Sequence, residues 1–374
     1  MNTSRSADVV IVGAGLVWLA CAVAAAERAL SVLVIGETLP GESSPAGAGL
    51  LAPSIEREEG HGSDFGVAAR DRFPSYVDWL RERTGVEVPI NRDGIIQIAV
   101  NAAGVRGLRR GMPDTAQWLD APALAGLEPA LGHALGGVLH SHDGWVDNVR
   151  LLDALRVVAN ASPRITIVSD QVSGIDFSGD ARATTRSRQT FTTGRIVLAA
   201  GAWSATIAGL PRRVPVEPVR GQMISYSGSP LTRAVYGPTG YVVPRADGRT
   251  LVGATAERVG FDPSVTDDGI ARLTRTAAEI LPQFAAVRHE RAWAGLRPIS
   301  ADLQPILGPD PDEPRLIYAT GHSRNGILMT PLTGDCIAAL LVDERPPTPI
   351  SAFGIARFDA TSESRSPSEP STRR

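Results

Sequence analysis

Residues 9–35 read VVIVGAGLVWLACAVAAAERALSVLVI, and this stretch decides the fold class. Residues 9–12 are an unbroken β-branched run, which predicts a buried strand. Gly13-Ala14-Gly15 then makes a tight turn. An alanine-rich segment with helical propensity follows, and Val32–Ile35 is a second buried strand. Strand, turn, helix and strand at this spacing form a βαβ half-unit, the seed of a parallel sheet. Gly13 and Gly15 let the backbone turn sharply. Their turn brings the amides at the helix start toward a dinucleotide pyrophosphate. The full pattern G-x-G-x-x-G asks for a third glycine at position 18, where this chain has Trp18. That glycine serves helix–strand packing and does not hold phosphate. Trp18 is therefore expected to overpack the unit by about 1–3 kcal/mol. The site would be kept, with the helix pushed outward or the indole turned aside. An acidic residue about 20 residues further on ordinarily takes a ribose hydroxyl. The candidate is Glu37, one position beyond Gly36 at the end of the second strand.

The bulk composition narrows the function classes. The chain has 374 residues, 43% hydrophobic and 21% charged, with a net charge of −3. That is enough for two domains or one large α/β unit. No broad basic surface is available for nucleic acid or anionic lipid. All 37 of the lysine-plus-arginine count are arginine, which excludes a lysine Schiff base or a lysine nucleophile. Cys21 and Cys336 both lie in apolar helical stretches and read as small buried hydrophobes. Two cysteines make no disulfide framework, and a cytoplasmic location is expected. The apolar run over residues 9–26 follows Arg5 and could be taken for a signal or membrane segment. Asp8, the glycine turn and the following strand argue against both.

Further along, residues 64–84 predict a helix with Phe65, Ala69, Phe73, Val77 and Leu80 on one side. Residues 89–100 alternate like a strand around the turn Asp93-Gly94, and residues 101–135 are weakly patterned. An amphipathic helix over 149–161, a strand Ile165–Val168 and a polar hairpin over 176–194 come next. Residues 195–204 are a second buried strand running into a glycine turn. Short β-patterned runs fill 214–255, a helix spans 266–282, and 293–299 is extended. Leu316–Thr320 is a last strand, and 332–342 is a closing helix. His140-Ser141-His142-Asp143 reads as a turn, and no metal site is predicted. No nucleophile elbow of the form G-x-S-x-G occurs.

Several motifs then fall in a telling order. They are Ser43-Ser44-Pro45-Ala46-Gly47-Ala48-Gly49-Leu50-Leu51-Ala52-Pro53, Leu198-Ala199-Ala200-Gly201-Ala202-Trp203-Ser204 and Val219-Arg220-Gly221-Gln222-Met223. After them come Tyr241-Val242-Val243-Pro244-Arg245, Val252-Gly253-Ala254-Thr255, Trp293-Ala294-Gly295-Leu296-Arg297-Pro298 and Gly321-His322-Ser323-Arg324-Asn325-Gly326-Ile327-Leu328. In this order the chain, from residue 8 to about 355, resembles the D-amino-acid-oxidase superfamily of flavoproteins. Within that superfamily it is most similar to glycine oxidases of the thiamine-biosynthesis type.

The resemblance implies an α/β fold: a Rossmann-like FAD-binding domain with an inserted α+β substrate domain built on a large antiparallel sheet. The FAD-binding domain would be discontinuous, over 1–85, 141–213 and 291–356. The substrate domain would take 86–140 and 214–290, and 357–374 would be a disordered tail. FAD would be held non-covalently. Its phosphates would lie at Gly13, Ala14 and Gly15, and its ribose near Glu37. Ala48, Gly49 and Leu50 would wrap the flavin, Ala200 and Gly201 would pass close to it, and Asn325, Gly326 and Ile327 would lie by the ring. Arg297 would clamp the substrate carboxylate, with Tyr241 and Arg324 beside it. Two positions depart from the family pattern: Thr239 stands for a histidine and Ala256 for a methionine, and both would shape the substrate pocket.

The implied chemistry suits the residues. A guanidinium holds a carboxylate by two parallel hydrogen bonds, and a phenol adds a third donor. Fixing the carboxylate sets the α-carbon against the flavin, which takes the hydride. The expected reaction is oxidation of glycine, sarcosine or small D-amino acids to the imine or 2-oxo acid. Dioxygen would be the acceptor and hydrogen peroxide a product. Three alternatives stand beside it: a dehydrogenase of the same superfamily using another acceptor, a non-catalytic flavoprotein disabled by Trp18, and an NAD-dependent dehydrogenase. The only partner class expected is the small amino-acid substrate, with a homo-oligomer possible.

Overall fold

The computed structural model describes residues 6–56 and 61–361. Its framework is a parallel sheet of five strands in the order Leu316–Thr320, Thr190–Leu198, Ser6–Val12, Val32–Ile35 and Ile165–Val168. Both faces of this sheet are covered, which is why its strands read as continuous apolar runs. Val9, Ile11, Val34, Val197 and Ile317 face a helical layer. That layer contains Leu16–Glu27, His61–Thr84, Asn148–Ala161 and Gly326–Leu341. Val10, Val12, Ile35, Ile196, Leu198 and Tyr318 face the other way, onto a cluster closed by Phe191, Ile207 and Ile355. The strand pairing reverses around Ser6–Val12, with Val32–Ile35 on one side and Thr190–Leu198 on the other. A crevice opens at the carboxyl end of such a strand, and Gly13 emerges there.

A second sheet of eight strands lies beside the first. Its order is Arg291–Ser300, Val216–Ser227, Arg249–Gly253, Tyr241–Pro244, Ala234–Tyr236, Ile95–Ala99, Gly136–His140 and Gln117–Asp120. All neighbours are antiparallel except Ala234–Tyr236 with Ile95–Ala99. The helix Asp267–Ile280 packs on it through Leu273, Ala277 and Ile280. A small third sheet of Leu50–Leu51, Gly144–Val146 and Ile90–Asn91 joins the two regions.

Phe65, Ala69, Phe73, Val77 and Leu80 are all buried on one side of His61–Thr84, as their spacing predicts. Other expectations need correction. Arg291–Ser300, placed by sequence order with the nucleotide-binding part, pairs over its full length with Val216–Ser227 in the antiparallel sheet. The paired residues lie far apart in sequence, from Ser225 with Arg291 to Val216 with Ser300, and nothing local announces the pairing. The weakly patterned stretch 101–135 holds two helices, Ala102–Gly111 and Ala121–Leu127, capped by Asn101 and Asp120 side chains. The closing helix begins at Gly326, before the expected 332, and runs through Pro331. Every residue from 328 to 334 is buried there, so packing overrides the proline's missing donor. The tail is tied down as far as 359: Arg357 pairs with Asp302, and Arg212 reaches Asp359. Residues 362–374 lie outside the described residues. No described helix is long and apolar enough to cross a membrane.

Candidate functional site

Two cavities meet between the sheets. The larger, about 340 Å³, runs from the Gly13–Gly15 turn and Glu37 to Arg297, Arg324 and Ile327. Part of its wall is glycine backbone, at Gly13, Gly15, Gly36 and Gly201. Gly13 has φ +144, and a Cβ there would fall 2.3 Å from the Ala199 carbonyl oxygen. Gly36 is equally constrained, because a Cβ would lie 1.7 Å from the Gly13 carbonyl oxygen. The third tight glycine of this unit is therefore Gly36, while position 18 tolerates bulk. Trp18 is 5% exposed in the largest core cluster and is not on the cavity wall. The close helix contact is made elsewhere: a Cβ on Gly334 would lie 2.8 Å from the Ala20 carbonyl oxygen.

Gly15 is the N-cap of Leu16–Glu27 and offers no side chain. The Ser44 hydroxyl supplies the cap instead, accepting from Leu16 N at 2.9 Å. Ser44 thus stands where helix amides and the helix dipole attract a phosphate. Glu37 is on the cavity wall, and its Oε1 accepts from Gln171 Nε2. Ala200 and Gly201 line the same cavity. His322 is fully buried on this wall, and burial lowers its pKa to about 4, so it is neutral at pH 7.

The smaller cavity, about 240 Å³, shares Ser43, Gly47, Arg297, Arg324 and Ile327 with the larger. Its working groups are side chains from distant segments. Arg297 leaves the edge strand and lies flat across Gly221 of the neighbouring strand, where a Cβ would fall 2.1 Å from Nη1. Nη1 donates to the Thr255 carbonyl at 2.9 Å, which fixes the orientation of the fork. Tyr241 lies likewise over Gly253, where a Cβ would sit 2.6 Å from its hydroxyl. Burial raises the Tyr241 phenol above its ordinary value, and the Arg297 charge opposes that rise. Ala48, Gly49, Leu50 and Asn325 also line this cavity.

Glu56 was not picked out from the sequence. Its carboxylate accepts from the Tyr236 hydroxyl at 2.9 Å and from Arg324 Nη2 at 2.8 Å, on the wall of the smaller cavity. In the sequence it stands beside Arg57 and Glu58, and no periodicity marks it. Ser44 could have been found, since Ser-Ser follows the second strand where a loop must return to the helix start. Thr239 does not shape the pocket. It is exposed, and its hydroxyl bonds Thr276 and Glu279 on the neighbouring helix. Ala256 does line the cavity. Cys21 and Cys336 are buried away from both cavities, and burial raises both thiols. His140 bonds Gln97, and among the described residues no three His, Cys, Asp or Glu gather to hold a metal.

Residues 8–340 match the model of a family described as FAD dependent oxidoreductase (DAO). The chain belongs to this family. It is 32% identical over 370 residues to a glycine oxidase of Geobacillus kaustophilus, covering 95% of this chain and 96% of that protein. It is 35% identical over 369 residues to the bifunctional protein ThiO/ThiG of Synechocystis, covering 95% of this chain but 55% of that protein. The chain therefore spans about half the length of such bifunctional relatives. The crystal structure of the Geobacillus kaustophilus glycine oxidase matches with a TM-score of 0.87 at 29% identity, over 95% of this chain and 99% of that one. FAD is the cofactor of the family, and the larger cavity suits it. A backbone-walled turn and a helix N-terminus face the pyrophosphate position, an acid stands on the wall about one strand away, and the far end opens onto Arg297.

Proposed function

We propose that this protein oxidises the Cα–N bond of glycine, sarcosine or small D-amino acids, with FAD held non-covalently. FAD, when bound, would supply the two-electron acceptor, with dioxygen as terminal acceptor and hydrogen peroxide as product. The observation that carries this reading is the position of Arg297, half-buried where the two cavities meet. A carboxylate on its fork is held within reach of the larger cavity's inner end. The Tyr241 hydroxyl beside it donates a further bond.

The Glu56 carboxylate, held by Tyr236 and Arg324, faces the amine end of the ligand. It favours an approaching ammonium and offers an acceptor for its proton. The helix starting at Gly326 points its amino end at the junction of the cavities, adding positive potential where negative charge gathers during reaction. Catalysis is then chiefly orientation and electrostatics. Similarity to ThiO/ThiG proteins supports use of the product in thiamine biosynthesis.

The test is anaerobic addition of glycine to the yellow holoenzyme, followed by air. Bleaching and then stoichiometric peroxide are expected. Bleaching without peroxide on aeration would point to another acceptor. Arg297→Ala is expected to lose about 3 kcal/mol of substrate binding, roughly a hundredfold in KM, with FAD retained. Normal glycine binding in that variant would overturn the carboxylate anchor.

A further inference from the structure

One buried ion pair, Arg70 with Asp143, is unused by this chemistry and lies off both cavity walls. Asp143 closes the turn after Gly136–His140, and its side chain is fully buried. It accepts from three donors: Ser54 N at 3.2 Å, Ser54 Oγ at 2.9 Å and Arg70 Nη1 at 3.1 Å. Arg70, on the helix His61–Thr84, is itself 8% exposed. A buried carboxylate with its partners is costly to desolvate and is no better for stability than an apolar cluster of equal volume. Its geometry offers a different use.

Ser54 lies two residues before Glu56. The segment between them is a closed turn, with Ile55 N and Glu56 N both donating to the Ala52 carbonyl, at 3.1 and 3.0 Å. Fixing Ser54 therefore fixes the Glu56 backbone. From there the Glu56 side chain reaches Tyr236 and Arg324 across the cavity wall. Asp143 holds the near end of this path by two bonds to one residue, one to the backbone and one to the hydroxyl. These two bonds tie the Ser54 end of the turn to Asp143.

We propose that Asp143 is a positioning residue for substrate: through Ser54 it sets where the Glu56 carboxylate meets the amine. This rests on the reading of Glu56 as the amine-end group. Asp143 touches neither substrate nor cofactor, so its removal acts on the ligand's amine and leaves the carboxylate clamp at Arg297 alone. Asp143→Asn keeps the shape and removes the charge. Ser54→Ala removes one bond and keeps the backbone donor, so it tests the same link in a milder way.

The experiment measures KM and kcat for glycine, and the inhibition constant of acetate, in the FAD-loaded protein. Acetate carries the carboxylate and no amine. Each variant is expected to raise KM for glycine about three- to tenfold, with kcat and the acetate constant unchanged. Glu56→Gln should raise KM by itself, and Ser54→Ala should add nothing in that background. An unchanged KM in a folded Ser54→Ala protein overturns the proposal. So does a parallel rise in the acetate constant, which would mark general damage to the pocket. If Glu56→Gln raises KM and Ser54→Ala does not, the anchor alone fails. If Glu56→Gln leaves KM unchanged, the amine-end reading fails and the anchor falls with it.

Discussion

The two cavities are built from different materials. At the cofactor cavity, Gly13 and Gly36 let backbone pass against backbone where a Cβ would clash, and Gly201 takes a positive φ. The smaller cavity, the proposed substrate site, brings together side chains from residues 56, 241, 297 and 324 beside the glycines 49, 221 and 295. A backbone wall cannot be altered without moving the chain, whereas a side-chain wall can be edited one group at a time. Damage to the first should therefore appear as lost folding and lost FAD together, and damage to the second as altered kinetics in a yellow, folded protein.

Gly13→Ala would break the first wall most severely. The added methyl meets the Ala199 carbonyl at a backbone angle that L-residues avoid. A destabilisation of about 3–5 kcal/mol is expected, together with loss of FAD absorbance on purification. A yellow Gly13→Ala protein of normal melting temperature would refute the distinction at its strongest point.

Trp18→Ala sharpens it. Trp18 interrupts the sequence fingerprint, yet its ring packs in the core and off the cavity wall. Truncation is expected to cost about 3–5 kcal/mol through the hole it leaves, with the dissociation constant for FAD unchanged in the folded fraction. A tightened FAD constant would mean that the indole does obstruct the site. The Trp18 Nε1 group is buried with no hydrogen-bond partner among the described residues, so some of the cost is offset.

His322 gives a smaller effect with a definite sign. Burial lowers its folded pKa to about 4, from an ordinary value of 6.5. The unfolded chain binds the proton more readily, so this contribution is complete above pH 6.5 and is lost as pH falls toward 4. The loss is about 3 kcal/mol at most, at 1.36 kcal/mol for each pKa unit. Denaturant midpoints measured from pH 7 to 4 should fall less steeply in His322→Gln. An equal slope in both proteins would place the titrating group elsewhere.

The same contrast explains what could be read from the chain before its fold. Gly13 and Gly15 announce a turn because glycine at such spacing has a local cause, and the βαβ unit around them followed directly. The buried face of His61–Thr84 was legible for the same reason. The proposed carboxylate anchor at Arg297 was reached through motif resemblance and the apolar residues around it in sequence. Glu56 escaped because its partners Tyr236 and Arg324 are 180 and 268 residues away. Trp18 breaks the sequence fingerprint, and only the fold shows where its indole goes: into the core and off the cavity wall. The pairing of Arg291–Ser300 with Val216–Ser227 was not legible, because strand pairing at long range leaves no local mark.

Gly221 and Gly253 make the floor under Arg297 and Tyr241 bare, so neither anchor has anywhere to retreat when a bulkier ligand enters. Any broadening of diet on this scaffold is then expected at the other lining groups, Glu56, Arg324 and the small side chain at Ala256. Directed selection for new amines should accumulate its changes at those positions and leave the paired glycines untouched.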